Sequence, residues 1–314
     1  MPPSTFPQHR GDGATYPALV ADHATALPIS DEVADAFAAD GAVHLEGLFA
    51  DWVDELAAGV ARNEAEPSEF FDDNGTAGDA GRFWDDYCNW SRIPEFERFA
   101  FDSGIADVAA GLMRSETVQL FHEHVLVKEP GAPRPTPWHC DAPYYFVDGP
   151  QTVSIWIPLD PVPAESTLRL IRGSHLWEEA VHPVSWTTMT GFYGDDHTTH
   201  SGGFQPVPDP DYEPDRFEVM EWACEPGDAV AFHYRTVHGA RGSANLRRAF
   251  SLRMVGDDAR YVQRRGTTSP PFNGHGMVDG QRLREDWFPM LPHSFRRDSF
   301  AQRTPIDPDS EKLS

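Results

Sequence analysis

Two short motifs of this sequence could together form a metal site. His139 and Asp141 lie two residues apart in the stretch PWHCDAPYYF, and His238 follows much later in the chain. Two imidazoles and one carboxylate form a facial triad, which leaves positions open on a non-haem Fe(II). Nitrogen and oxygen ligands without thiolate suit Fe(II) better than a structural zinc. The His139–Asp141 pair alone is weak evidence, because a histidine that is hydrogen-bonded to a loop carboxylate would show the same spacing.

The strand predicted after His238 carries an arginine suited to bind a carboxylate. In RRAFSLRM, alternation places four side chains on one face: Arg247, Ala249, Ser251 and Arg253. The other face begins at Arg248, is mostly apolar and should pack against a layer of helix or sheet. Small residues beside Arg247 leave room for a ligand, and a guanidinium binds a carboxylate through two parallel hydrogen bonds. A surface charge is the ordinary alternative for any single arginine.

The stretch QTVSIWIPLD has the same alternation. Its apolar face consists of four residues: Val153, Ile155, Ile157 and Leu159. Thr152, Ser154 and Trp156 face the other way. This second face could meet solvent, as in many antiparallel sheets, or could line the cavity of a small barrel, and periodicity does not choose between these.

The order of the predicted elements is helices first and β-structure afterwards. Ser30 is a suitable N-cap for a helix that ends near Gly41, and ADWVDELAAGVARN predicts a second helix. From about residue 117, short strand-like runs are separated by Gly, Pro and Asp. Residues 183–215 interrupt this series with little periodicity, and a connection of this length indicates a lid or substrate loop.

We therefore expect one catalytic domain over residues 29–295. Its helical part would cover 29–115 and its barrel 116–262. Residues 1–28, rich in Pro, Gly and Ala, are expected to form a loosely attached arm, and residues 296–314 a polar tail.

The composition excludes several classes of partner. A net charge of −25 would repel nucleic acid and anionic membrane surfaces. No run approaches eighteen apolar residues, and we expect neither a signal peptide nor a membrane anchor. Cys88, Cys140 and Cys224 have no CxxC spacing, which fits a reducing, cytoplasmic compartment. The expected partner is a small-molecule substrate, and the sequence does not indicate an oligomeric state.

Five motifs in this order resemble the phytanoyl-CoA dioxygenase family of Fe(II)- and 2-oxoglutarate-dependent oxygenases. They are WHCDAPYY, SIWIPLDPV, LRLIRGSH, EPGDAVAFHYRTVHGARGSAN and RRAFSLRMVGDDARY, and the similarity spans roughly residues 30–262. The resemblance implies a mainly β fold with flanking helices, in which a double-stranded β-helix (a cupin-like jelly-roll) forms the core.

The resemblance also implies roles for individual residues. The iron ligands and catalytic centre would be His139, Asp141 and His238. An arginine would bind the distal carboxylate of 2-oxoglutarate; the motif favours Arg247, with Arg248 as the alternative. Further residues are candidates for the co-substrate pocket: Lys128, Ser154 and Trp156. Four aromatic residues near the metal motif are candidates for substrate contact: Trp138, Tyr144, Tyr145 and Phe146.

The implied activity uses Fe(II), 2-oxoglutarate and O2 and yields succinate and CO2. We expect hydroxylation of an unactivated C–H bond of a small molecule, with secondary metabolism as one setting. Because Asp141 stands where a halogenase would have Gly or Ala, no ligand position is vacated for halide. Two alternatives stay open: a cupin-like metalloenzyme that does not use 2-oxoglutarate, and a non-catalytic small-molecule binding protein on the same fold.

Overall fold

The computed structural model describes Leu27 and residues 29–295, except for positions 187, 189, 195 and 201. The predicted tail (296–314) lies outside these residues, as does the predicted arm (1–28) apart from Leu27.

The described residues contain four α-helices, all in the part of the chain predicted to be helical. They are α1 (Asp31–Asp40), α2 (Val53–Ala65), α3 (Pro94–Asp102) and α4 (Ile105–Met113). Ser30 Oγ accepts a hydrogen bond from Val33 N at 3.4 Å, and Gly41 ends α1 with a φ of 81°, so both predicted ends of this helix are confirmed. No helix in the described part of the chain is long and apolar enough to span a bilayer.

Fifteen strands are present in the described residues. They are β1 (Ala42–Leu45), β2 (Asp72–Asp73), β3 (Phe83–Tyr87), β4 (Gln119–Lys128), β5 (Thr136–His139), β6 (Val147–Asp148), β7 (Thr152–Pro158), β8 (Leu168–Ile171), β9 (Ala180–Val181), β10 (Phe204–Gln205), β11 (Val219–Glu221), β12 (Ala229–Phe232), β13 (His238–Ala240), β14 (Arg247–Val255) and β15 (Arg260–Tyr261).

Two antiparallel sheets build the barrel. The larger sheet has the order β1-β12-β7-β14-β4-β3-β2, and the smaller has the order β11-β8-β13-β5. From β4 onward the chain passes repeatedly between the two sheets, with β12 and β14 in one and β11 and β13 in the other. This arrangement is a jelly-roll, so the predicted fold class, a mainly β double-stranded β-helix with flanking helices, is confirmed. The predicted helical part also contributes β1, which pairs with β12 at the edge of the larger sheet.

The central strands of the larger sheet, β12, β7, β14 and β4, are buried on both faces. On its outer face, Phe250 of β14 packs against Phe96 and Phe99 of α3, with ring centroids 4.7 Å and 5.5 Å away. On its inner face, Trp156 and Ala249 pack between the two sheets. The polar side of β7 therefore lines the barrel interior and does not meet solvent. Burial of an aromatic side chain such as Phe250 contributes about 3 kcal/mol, and this packing holds the inner face in position.

Candidate metal centre and active site

The metal triad (His139, Asp141 and His238) comes together at the smaller sheet. β5 ends at His139, β13 begins at His238, and the two residues are direct partners in the antiparallel β5–β13 pair. Asp141 Oδ1 lies 3.7 Å from His139 Nε2 and 3.9 Å from His238 Nε2. All three side chains are buried, and their ligand atoms lie within 4.8 Å of one another. One metal ion can therefore contact all three.

Backbone carbonyls hold both imidazoles in the tautomer that a metal requires. His139 Nδ1 donates to Pro137 O at 2.8 Å, and His238 Nδ1 donates to Thr236 O at 2.9 Å. With the proton on Nδ1, the Nε2 atom of each ring carries the lone pair. Burial, assisted by His238, lowers the pKa of His139 to about 3, and burial also lowers the pKa of His238. Both rings are therefore neutral near pH 7, the form in which histidine binds a metal.

Ser154 and Arg253 orient the Asp141 carboxylate. Ser154 Oγ donates to Asp141 Oδ2 at 2.9 Å, and Arg253 Nε lies 3.7 Å from the same oxygen. These contacts leave Oδ1 as the oxygen nearest the two histidines. Burial by itself raises the pKa of Asp141, but Arg253, the two imidazoles and the Ser154 hydrogen bond together lower it to about 2. The carboxylate is ionised and aimed at the point where a metal would lie.

The triad fits an Fe(II) ion. It offers two imidazole nitrogens and one carboxylate oxygen, without a thiolate, and three protein ligands leave coordination positions free for further molecules. A cavity of about 200 Å³ reaches His139 and Asp141, so these positions are open to a small molecule.

Arg247 and Lys128 form a second buried polar group. They are direct partners in the β14–β4 pair, and only 4% and 0% of their surfaces are exposed. Arg247 donates to the Ser166 carbonyl, while Lys128 Nζ donates to the carbonyls of Arg134 (2.9 Å) and Arg241 (3.0 Å). Burial and the charge of Arg247 lower the pKa of Lys128 to about 6, and burial lowers the pKa of Arg247 to about 10. An adjacent anion would favour the charged form of both side chains, so this buried pair favours the binding of an anion.

The other candidates for the co-substrate pocket lie in different surroundings. Ser154 is the residue that donates to Asp141. Trp156 is buried in the apolar cluster between the sheets, beside Leu170. Arg248 pairs with Asp160, with its Nε 3.0 Å and its Nη2 2.7 Å from the two carboxylate oxygens. This pairing leaves Arg248 less free than Arg247 to bind a ligand.

Two of the four aromatic candidates line the cavity. Tyr144 and Tyr145 contribute to its wall. Trp138 packs on the other side of β5 from His139, because successive residues of a strand point to opposite faces. Phe146 packs into a buried aromatic cluster. The structure therefore does not bring Trp138 and Phe146 to the cavity.

Part of the 183–215 segment covers the metal end of the cavity. The Trp186 ring lies edge-on to the His139 ring, with centroids 4.9 Å apart. Tyr144 OH donates to Val184 O and accepts from Val184 N, both at 2.7 Å. These bonds attach the segment to the residues that follow Asp141 and keep Trp186 over the site.

Several residues that line the cavity were missed by reasoning from the sequence. They are Asp72, Asp85, Tyr87, His122, His124, Trp186 and Arg253. Alternation could have identified Arg253, which shares a face of β14 with Arg247, and also His122 and His124, which alternate along β4. Asp72 and Asp85 have no such signal, because they come from short strands outside the metal motifs.

Comparison with known proteins identifies the family. The sequence pattern of the family described as Phytanoyl-CoA dioxygenase (PhyH) matches residues 37–249, more than half of the chain. This chain belongs to the phytanoyl-CoA dioxygenase family. It is accordingly a 2-oxoglutarate-dependent non-haem iron oxygenase, and the prediction of Fe(II), 2-oxoglutarate and O2 is confirmed. Among curated proteins, none matches this family member by sequence.

Solved structures share the fold of this phytanoyl-CoA dioxygenase family member. The α-ketoglutarate-dependent carbocyclase SnoK from nogalamycin biosynthesis is 24% identical, with a TM-score of 0.64, over 84% of this chain and 97% of its own. The epimerase SnoN, in complex with Fe3+, α-ketoglutarate and nogalamycin RO, is 24% identical, with a TM-score of 0.62, over 83% of this chain and 98% of its own. EctD from S. alaskensis, with 2-oxoglutarate and 5-hydroxyectoine, is 22% identical, with a TM-score of 0.57, over 83% and 87%.

Proposed function

We propose that this oxygenase hydroxylates an unactivated C–H bond of a small molecule. The observation that carries the proposal is the convergence of three ligand atoms, from His139, Asp141 and His238, beside a small cavity that reaches His139 and Asp141. Asp141 supports hydroxylation over halogenation, because its carboxylate occupies the ligand position that a halide would need.

The metal triad is proposed to hold Fe(II) through His139 Nε2, Asp141 Oδ1 and His238 Nε2. When bound, Fe(II), 2-oxoglutarate and O2 supply an oxidation that converts 2-oxoglutarate into succinate and CO2 and a substrate C–H group into C–OH. The protein contributes by orienting the three metal ligands. The Pro137 and Thr236 carbonyls hold the imidazoles, and Ser154 with Arg253 holds the carboxylate.

Arg247 is the proposed partner of the distal carboxylate of 2-oxoglutarate. Its guanidinium is buried, and the Ser166 carbonyl is its one hydrogen-bond acceptor among the described residues, so donors are left for a bidentate pair. Lys128, directly opposite on β4, has a pKa that burial and Arg247 lower to about 6, and an adjacent anion would favour its charged form. Ser251, on the same face of β14, has a buried Oγ without a partner among the described residues and could donate to the same ligand.

Part of the 183–215 segment covers the metal end of the proposed substrate cavity. Trp186 lies over His139, and Tyr144 fastens the segment through Val184. Exclusion of water strengthens each electrostatic contact in the site and limits turnover in the absence of substrate. Tyr144 and Tyr145 are proposed to contact the substrate.

A reducing, cytoplasmic location is also proposed. Cys88, Cys140 and Cys224 are all free thiols. An intracellular compartment keeps such thiols reduced.

The substitutions Arg247→Ala and Arg248→Ala test the proposal. Anaerobic titration of the Fe(II)-loaded protein should show that Arg247→Ala weakens 2-oxoglutarate binding about 100-fold, since a charge-assisted bidentate pair is lost. Arg248→Ala, which removes the same side chain from the opposite face of β14, should change this affinity less than about 2-fold. Equal losses in both variants, or none, would show that Arg247 is not the specific partner of the distal carboxylate.

A turnover screen tests the reaction itself. The protein loaded with Fe(II), 2-oxoglutarate and O2 is incubated with a panel of small molecules, and succinate and product masses are measured. The proposed hydroxylation gives one succinate and a gain of one oxygen atom per product. A product that has lost two hydrogens, or a stereoisomer of unchanged mass, would show that the reaction is desaturation, ring closure or epimerisation instead.

A further inference from the structure

The cavity beside the metal triad has an acidic far end. Asp72 and Asp85 line it on β2 and β3, where they are direct cross-strand partners. The only lysine or arginine among the described lining residues is Arg253, which lies near Asp141 at the metal end. The cavity is therefore polar along its length, with positive charge beside the metal position and negative charge away from it.

Among the described residues, no lysine or arginine forms an ion pair with either carboxylate at the far end. Asp85 is buried; its Oδ2 accepts from His124 Nε2 at 2.7 Å, and its Oδ1 accepts from the Asn74 amide. Asp72 is more exposed, and burial followed by the charges of Asp85 and Asp73 raises its pKa. Two neighbouring carboxylates repel each other, so a cation placed between them gains from both.

Two buried polar atoms at the cavity have no partner among the described residues. His122 Nε2 and Arg253 Nη1 are both in this position, although His122 is only 2% exposed and Arg253 only 5%. His122 Nδ1 donates to Glu123 O at 3.0 Å, so Nε2 is an acceptor. A buried acceptor without a partner costs about 1–3 kcal/mol, and a ligand with an N–H or O–H group would remove that cost.

Aromatic rings complete the wall between the two ends. Trp186 stacks near His124, with ring centroids 6.3 Å apart, and Tyr87 lies edge-on to the same ring at 5.4 Å. The faces of tryptophan and tyrosine attract cations, so these rings and the carboxylates favour the same kind of ligand.

We propose that the substrate carries a positively charged nitrogen that binds beside Asp72 and Asp85, away from the metal. An N–H or O–H group nearer the metal donates to His122 Nε2. His124, which donates to Asp85, lies two residues from His122 on β4, and all three residues line the same cavity, so a single small ligand can reach both contacts. This inference rests on the proposed function in one respect only, namely that the metal triad marks the end of the cavity where oxidation takes place.

Binding of matched probes tests the charge preference. The probes are 2-phenylethylammonium, neutral 2-phenylethanol and anionic phenylacetate, titrated by calorimetry into the full chain loaded anaerobically with Fe(II) and 2-oxoglutarate. The ammonium should bind about ten-fold more tightly than the alcohol, and the carboxylate most weakly. Equal affinities for ammonium and alcohol, or tighter binding of the carboxylate, would overturn the inference.

Asp72→Asn and Asp73→Asn are the matched variants. Asp73 is the next residue, is exposed and lies 3.5 Å from Arg82 Nε. Asp72→Asn should reduce ammonium binding at least five-fold and leave alcohol binding within two-fold, whereas Asp73→Asn should change neither by more than two-fold. Equal losses in the two variants would assign the preference to the general negative field of the protein and contradict a specific contact.

Tyramine, which adds a phenolic O–H to the ammonium probe, tests the contact with His122. The added group should improve affinity about five-fold in the unmodified protein, and His122→Phe should remove this gain but keep the ammonium preference. An unchanged gain in His122→Phe would refute the His122 contact. Repeating the titrations without iron and 2-oxoglutarate separates the two proposals, because an ammonium preference that persists there does not depend on the oxygenase assignment.

Discussion

Two groups of side chains in this protein have the composition of a metal site, and they differ in which atoms are already used. The first is the metal triad. The second, here called the turn cluster, consists of His44, Cys224 and Asp228, whose ligand atoms also lie within 4.8 Å of one another. In the turn cluster, Asp228 Oδ1 accepts from Gly47 N at 2.6 Å, and Oδ2 accepts from His44 Nε2 at 3.1 Å and from Glu225 N at 2.9 Å.

The metal triad has the opposite arrangement. Its histidines donate from Nδ1 to carbonyls, so both Nε2 lone pairs point to a shared space, and Asp141 keeps Oδ1 on the same side. In the turn cluster, both oxygens of the Asp228 carboxylate already accept hydrogen bonds, from the backbone N–H groups of Gly47 and Glu225 and from the His44 ring. Ligand type and proximity are therefore insufficient to identify a metal site; the lone pairs that remain after internal hydrogen bonding decide it.

The largest difference between the metal triad and the turn cluster should appear in Fe(II) binding, when Asp141 or Asp228 is replaced. Asp141→Ala should weaken Fe(II) binding at least about 100-fold and abolish substrate-dependent succinate formation, because a charged ligand is lost. Asp228→Ala should retain stoichiometric iron in the folded protein. Metal analysis after anaerobic reconstitution measures both, and turnover retained by Asp141→Ala would remove the triad from its proposed role.

Removal of the turn-cluster aspartate should affect the stability of the protein rather than its iron binding. Asp228→Ala should lower the free energy of unfolding of the metal-free protein by about 2–4 kcal/mol, since three hydrogen bonds to a carboxylate are lost. Urea denaturation measures this effect. Asp73→Ala, at an exposed carboxylate, is the control and should stay within about 0.5 kcal/mol of the unmodified protein.

The contribution of Asp228 should also depend on pH. Burial raises its pKa, but hydrogen bonds from Gly47, Glu225 and His44 outweigh burial and lower it. A lowered folded-state pKa gives stability that is present above the unfolded value of about 4 and is lost as pH falls through the folded value. The stability difference between the unmodified protein and Asp228→Asn should therefore be constant near neutral pH and shrink in acid; a difference that grows in acid would contradict the hydrogen-bonding account.

A smaller effect is expected from the residue that orients Asp141. Ser154→Ala removes the hydrogen bond to Oδ2 and should weaken Fe(II) binding about ten-fold. Ser251→Ala makes the same chemical change on the inner face of the neighbouring strand β14 and should leave iron affinity unchanged. Competition with a fluorescent chelator measures both, and identical values would mean that Ser154 does not position the ligand.

The smallest effect belongs to the thiol of the turn cluster. Cys224 Sγ makes only a weak contact with Trp222 O at 3.4 Å and a long one with Thr167 Oγ1 at 3.9 Å. Cys224→Ser should therefore leave iron content, turnover and Zn2+ binding within about 2-fold of the unmodified protein. A loss of one bound Zn2+ per chain in this variant would make the turn cluster a metal site after all.

The fold could be predicted from the sequence where local patterns and packing agree. The ends of α1 follow from Ser30 and Gly41, and the alternation in β14 and β7 correctly separates helix-facing from interior residues. β4 shows the limit of this reasoning. His122 pairs with Arg253 but Leu120 pairs with Met254, so a bulge turns Leu120 to the helix-facing core. Strict alternation would place Leu120 on the same face as His122.

The candidate site could be predicted in part for a similar reason. The order of motifs singled out the triad and Arg247. Cys140, between the two ligand candidates, packs in a separate apolar cluster with Ile171, Val181 and Val237. The roles of the aromatics could not be read in this way. Tyr145 lines the cavity while its neighbour Phe146 is buried in an aromatic cluster, because the chain turns between them and no simple period applies.

The sequence by itself indicated the candidate ligand types, their order along the chain, the two faces of β7 and β14 and the family to which the protein belongs. These properties are local or follow from motif order. The tertiary structure alone decided which polar face is interior, that Lys128 lies buried beside Arg247, and that Asp72 and Asp85 meet at the far end of the cavity. Each of these depends on pairing between distant segments, and the free energy of that pairing comes from contacts that no single stretch of sequence contains.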